Sequence, residues 1–155
     1  MTIQQLKKLD IENQRKKHPI LAKNNPDAIA PYKYNEKNAN GLTRCIIDAI
    51  NFTGGYAIRV NNGGIYRKGL KIARECGGYH ITSGKYTFNG TRGVADIDAM
   101  WNGYKVAIEV KFGKDKQSPA QIEYQRNIER SGGVYIIART LEDFWQEWQQ
   151  KVLNK

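Results

Sequence analysis

Residues 93–112 read GVADIDAMWNGYKVAIEVKF, and this stretch decides the fold. On either side of Asn102-Gly103 the residues alternate with the period of two expected of strands. Asn-Gly itself is the dipeptide that two-residue hairpin turns favour. Along 104–112, Val106, Ile108, Val110 and Phe112 fall on one face, and Lys105, Ala107, Glu109 and Lys111 on the other. Along 93–101, Asp96 and Asp98 share a face, opposite Ile97, Ala99 and Trp101. Closing the hairpin brings Asp96 or Asp98 toward Glu109. Aspartate is depleted in strands, so two in one register need a reason. One is a solvated face with a favourable Asp–Lys cross-strand pair. The other is a cation site, since Mg²⁺ is commonly held by one or two carboxylates together with phosphate and water.

Downstream, Ser118-Pro119 opens a helix to about Arg130, with Ser at the N-cap and Pro in the first turn. Gly132-Gly133 closes it, and VYIIA at 134–138 reads as a buried strand. Thr140 caps a last helix, with Asp143 at the capping-box position. Its stripe of Leu141, Phe144, Trp145, Trp148 and Val152 is a core-packing pattern. Upstream, residues 41–53 form a helix with Leu42, Ile46, Ala49 and Ile50 on one side, ended by Gly54-Gly55. A strand at 56–61 and a turn at Asn62-Gly63-Gly64 follow. Residues 65–90 are rich in Gly and Tyr and irregular, with a short hairpin near Tyr79–Phe88. Residues 3–17 make a polar helix with a thin stripe of Ile3, Leu6 and Leu9. That helix docks weakly, packs on a partner subunit, or orders on DNA. His18 to Tyr34 holds Pro19, Pro26 and Pro31 and reads as loop or linker. The order predicts an α/β fold, a mixed central sheet flanked by helices. It divides into an arm and linker at 1–35 and a catalytic-sized domain at 36–155.

The chain has 155 residues and a net charge of +10. Residues 1–37 carry eight Lys/Arg and four Asp/Glu, residues 38–95 eight and two, and residues 96–155 nine and nine. The whole excess therefore precedes Asp96, which suits a polyanionic partner such as nucleic acid. Cys45 and Cys76 form no CxxC pair, which argues against a zinc ribbon or a disulfide framework and fits a reducing cytoplasm. His18 and His80 are the only histidines, too few for a multi-His metal centre. No apolar run approaches the ~18–20 residues of a membrane span, and no secretory signal is visible.

Hydrolysis of a phosphodiester needs a metal that polarises the phosphoryl group and acidifies a bound water, and a cation beside it that orients that water or stabilises developing charge. Asp96 with Glu109 supplies the first, and Lys111 the second. Gly93-Val94-Ala95-Asp96 followed by Glu109-Val110-Lys111 resembles the PD-(D/E)xK nuclease signature. Gln117-Ser118-Pro119-Ala120-Gln121 is similar to the Ser-x-x-Gln helix start of the VRR-NUC branch, and Arg59-Val60-Asn61-Asn62-Gly63-Gly64 resembles its Arg-x-Asn…Gly segment. The resemblance covers about residues 36–144. It implies a restriction-endonuclease-like core, dependence on Mg²⁺ or Mn²⁺, and structure-specific cutting of branched or flapped DNA by a homodimer, as in resolvases of four-way junctions. It also assigns Asp96, Glu109 and the Val110 carbonyl to the metal, with Asp98 as an extra or alternate ligand, and Lys111 and Gln121 to the catalytic set. Gln121 equally suits a plain capping box with Ser118.

Two departures stand out. The motif proline is Ala95, which is minor because proline is no ligand. No helix carboxylate is evident, Glu36 being the nearest candidate, and without one a second metal loses its support. For nucleic acid, Arg59, Asn61, Arg67, Lys68, Arg92, Lys114 and Lys116 are the candidates, with tyrosines interleaved among the basic residues. Against the endonuclease stands a non-catalytic nucleic-acid-binding module derived from the same fold. A protein-interaction module built on the first helix leaves the Asp and Glu-x-Lys strands without a purpose.

Overall fold

The computed structural model describes residues 1–60 and 92–154 in full and, between them, the backbone of four short strands. The elements run α1 (Ile3–Lys17), α2 (Pro19–Asn24), α3 (Ala39–Phe52), β1 (Tyr56–Arg59), β2 (Ile65–Arg67), β3 (Lys71–Ala73), β4 (Tyr79–Ile81) and β5 (Lys85–Thr87). After these come β6 (Ile97–Trp101), β7 (Tyr104–Val110), α4 (Pro119–Arg130), β8 (Val134–Ala138) and α5 (Leu141–Trp148). A π-helical turn at Gln149–Leu153 continues α5.

The central sheet has the order β1-β6-β7-β8. β1 and β7 run antiparallel to β6, and β8 runs parallel to β7. The class is thus mixed α/β, as the sequence predicts. The β6–β7 turn has φ 47° at Asn102 and φ 84° at Gly103. Both values are positive, as a type I′ turn requires, and Asn-Gly is the pair that tolerates them. The turn fixes Ile97 opposite Ile108 and Asp98 opposite Ala107. The next step along each strand sets Asp96 beside Glu109.

One face of the sheet carries Ile97, Ala99, Val106, Ile108 and Ile136, all fully buried. α3 covers it with Leu42, Ile46 and Ile50, and α5 with Leu141, Phe144 and Trp148. α1 joins the same core through Leu6, which is 0% exposed, so this helix docks on α3 despite its thin stripe. Asp10 of α1 fixes the chain that follows by accepting from Tyr32 N at 2.7 Å and Gln14 Nε2 at 3.0 Å. The other face is smaller: Ala95, Ala107 and Tyr135 lie beneath Tyr124 and Ile128 of α4.

Three expectations change. The loop expected from His18 contains α2 and a 3₁₀ turn at Pro26–Ala28. Pro19 and Pro26 each sit in the first turn, where a preset φ helps and the missing N–H costs nothing. Phe112 leaves the apolar face and is 46% exposed, because the strand ends at Val110 and a turn at Gly113 (φ 57°) follows. The segments expected to pair with each other near Tyr79–Phe88 pair upstream instead, β4 with β3 and β5 with β2. Ile65 faces Thr87 and Lys71 faces Ile81. Six residues forward on one side match six back on the other, so both pairs keep one register. The turn expected at Asn62-Gly63-Gly64 lies outside the described residues.

Candidate active site

Asp96 stands just before β6. Its Oδ2 accepts from Val110 N at 3.0 Å, taking the place of the ladder carbonyl that β6 would offer if it continued. In a strand the N–H and C=O of one residue point to the same side, so the Val110 carbonyl faces the Asp96 side of β7. Glu109 and Lys111 are 2% and 4% exposed. These are unusual burials for such residues, and they are tolerated because the two groups pair: Lys111 Nζ lies 3.1 Å from Glu109 Oε1.

Gln121 closes the triangle from the first turn of α4. Its Nε2 donates to Glu109 Oε1 at 2.6 Å, and its Oε1 accepts from Lys111 Nζ at 3.0 Å. The same Oε1 accepts from Ser118 N at 2.9 Å while Ser118 Oγ accepts from Gln121 N at 3.3 Å. The capping box and the contact with the acidic pair are therefore one geometry. Gly93 makes it possible. A Cβ there would lie 2.3 Å from the Ala120 carbonyl oxygen, and φ is +80°. Only glycine lets the chain leading to Asp96 touch the start of α4 so closely.

Burial, and then the negative charge of Asp96, push Glu109 up from an ordinary 4.5 to about 7, against the pull of Lys111. Glu109 Oε1 is saturated by Lys111 and Gln121, while Oε2 is buried and has no partner among the described residues. A carboxylate with one oxygen held and the other free, beside a second carboxylate, fits a hard divalent cation.

Other sequence candidates lie elsewhere. Asp98 shares the site's sheet face but is taken by Lys105, at 2.7 Å from both carboxylate oxygens. This is the diagonal cross-strand pairing of the plain reading. Glu36 does not arrive: its Oε2 accepts from Leu141 N at 2.6 Å, where a helix start offers an unpaired N–H and a positive dipole end. Within α3 the only carboxylate is Asp48, held by Arg44 Nε at 2.6 Å and the Tyr34 hydroxyl at 2.9 Å. Among the described residues no cluster of three or more acidic, His or Cys side chains forms. Arg59 faces Ile97 in register, on the α3 side of the sheet, and donates to Asn40 Oδ1 at 2.7 Å. It positions no part of Glu109. Arg92, Lys114 and Lys116 are exposed, the two lysines in the connection from Lys111 to α4. Asn61, Lys68 and the Arg67 side chain lie outside the described residues.

Sequence reasoning missed three neighbours. Asp115 Oδ2 is 3.4 Å from Lys111 Nζ. Arg139 holds that connection in place, donating to the Gly113 carbonyl at 3.1 Å and the Asp115 carbonyl at 3.0 Å. Tyr135 lies under α4 on the same face as Glu109. Asp115 was detectable as the residue four beyond Lys111, after a Gly turn; the other two carried no sequence signal.

Neither a family model nor a curated protein matches the chain. The grouping of side chains is what bears on function. No helix among the described residues is long and apolar enough to cross a membrane.

Proposed function

We propose that this chain is a metal-dependent endodeoxyribonuclease of the PD-(D/E)xK type, close to the VRR-NUC branch. One observation carries the reading: Glu109, Lys111 and Gln121 form a closed hydrogen-bonded triangle in which Glu109 and Lys111 are buried, with Asp96 against it. A polar face in water would expose these groups, and a purely structural ion pair would have no use for the free Oε2 and the adjacent like charge.

Asp96, Glu109 and the Val110 carbonyl would hold Mg²⁺ or Mn²⁺, which supplies polarisation of the phosphoryl oxygen and a more acidic bound water. Lys111, fixed by Glu109 and Gln121, offers N–H donors preorganised for developing negative charge in a water-poor pocket. Gln121 sets the orientation of both. The excess of positive charge before Asp96, with Lys114 and Lys116 beside the site, gives DNA a backbone to neutralise. Branched or flapped DNA as the preferred substrate, a homodimer that makes two cuts, and a cytoplasmic setting complete the proposal.

Labelled four-way junction, 5′ flap and duplex DNA, incubated with wild type and Lys111→Ala in Mg²⁺, Mn²⁺ or EDTA, test it. Metal-dependent cutting lost in the variant is expected. A second reading, a non-catalytic DNA-binding module, is favoured by one observation, the engagement of Glu36 at α5. Salt-sensitive DNA binding without cleavage, unchanged by metal, would replace the first reading with this one.

A further inference from the structure

Lys111 carries three N–H donors and no acceptor, and three oxygens stand around its Nζ. Gln121 Oε1 lies at 3.0 Å, Glu109 Oε1 at 3.1 Å and Asp115 Oδ2 at 3.4 Å. Every hydrogen of the ammonium thus has a claimant. A phosphate oxygen that is to reach Lys111 must take one of these three places.

The three differ in how firmly they hold. The side chains of Lys111 and Glu109 are 5% and 3% exposed, and a buried ionic partner is costly to remove. Gln121 is tied at both ends: its Nε2 donates to Glu109, and its Oε1 also accepts from Ser118 N. Asp115 makes the longest contact, and its side chain is 58% exposed. An ion pair with one partner in solvent contributes little, and a carboxylate released there is hydrated at once. The backbone that carries Asp115 is held all the same. Asp115 N donates to the Phe112 carbonyl at 3.1 Å, and Arg139 donates to the Gly113 and Asp115 carbonyls. The carboxylate can therefore turn away without the connection moving. Lys114 and Lys116, both exposed, flank it in the chain, so DNA approaching from this side meets positive charge.

We propose that Asp115 is a stand-in for the DNA phosphate: its carboxylate occupies the outermost N–H of Lys111 until a backbone phosphate oxygen displaces it, and so competes with substrate for the site. The hydrogen that Lys111 offers to developing charge is then the one Asp115 gives up. The inference rests on the reading of Lys111 as the lysine of a nuclease site and names the residue that DNA must dislodge to reach it.

Fluorescence anisotropy with labelled 5′ flap DNA tests it on wild type, Asp115→Ala, Lys111→Ala and the double variant, in EDTA and again in Ca²⁺. Asp115→Ala should bind about tenfold more tightly than wild type, the middle of the range for coupled residues in contact. In the Lys111→Ala background the same change should alter affinity by less than about twofold. Equal tightening in both backgrounds makes Asp115 a plain surface charge and overturns this inference alone. Unchanged or weaker binding by Asp115→Ala also overturns it alone, and makes Asp115 a prop for Lys111. A folded wild type that binds no DNA in either condition overturns it together with the nuclease reading. Should Lys111→Ala fail to fold, Lys111→Met, which keeps an unbranched stem in the lysine's place, completes the cycle.

Discussion

The two faces of the central sheet are made by alternate residues of the same strands, yet they solve different problems. Toward α3 and α5, Ile97, Val106, Ile108 and Ile136 are dry and apolar. Toward α4, the same β7 buries Glu109 and Lys111, and β8 buries the Tyr135 phenol. The first face stabilises the fold by removing apolar area from water. The second gives up part of that stabilisation by desolvating charge. Locally consistent proteins violate packing rules mainly where they work, and here the violation is confined to one face.

Substitutions can break this contrast. Ile108→Ala, on the dry face, should cost about 2–5 kcal/mol of stability in a urea titration and leave cleavage intact at temperatures where the variant is folded. Lys111→Ala, on the other face, should lower single-turnover cleavage by about 10²–10³-fold. It should destabilise less than an unpaired buried charge would, because Glu109 at about 7 can take up a proton instead.

pH separates the faces in another way. Glu109 is raised in the folded chain, so its neutral form is the favoured one. Its stabilising contribution is full below about 4.5 and is lost as pH rises through about 7, on the order of 3 kcal/mol in all. On the proposed nuclease reading, metal binding and cleavage need the ionised form and should rise through the same interval, so melting temperature and rate should move in opposite directions between pH 5 and 8 (roughly, from the same titration). Parallel changes would remove the trade between the faces. Asp96→Asn keeps an acceptor for Val110 N and deletes the like charge beside Glu109. It should raise the melting temperature at pH 8 by a few degrees, about 1 kcal/mol, while abolishing cleavage. The smallest effect belongs to Asp98→Asn. The Asp98–Lys105 pair is 38% and 41% exposed, so its loss should cost less than about 1 kcal/mol and leave the rate unchanged. A large loss of cleavage would make Asp98 a ligand after all.

Periodicity two and the Asn-Gly turn were enough to bring Asp96 or Asp98 toward Glu109, the register deciding for Asp96, and Ser118-x-x-Gln121 was enough to start α4. Both are local rules, and both appear in the structure as read. Whatever depended on distant partners was not legible. Glu36 meets Leu141 from far along the chain, and nothing near Glu36 announces it. Arg139 finds its carbonyls only after the parallel crossover is made. Pro19 and Pro26 suggested loops because proline both ends and begins helices, and only the chain around it decides which.

The turn at Asn102-Gly103 also acts on time. Isolated hairpins close in about 1–10 μs, whereas a parallel pairing such as β7 with β8 must first close a loop containing a whole helix. A hairpin that closes first would bring the two carboxylates together while the chain is still open, before α4 delivers Gln121. In that order solvent would screen their repulsion, and the unfavourable desolvation would fall on the last step of folding, when the helix settles over them.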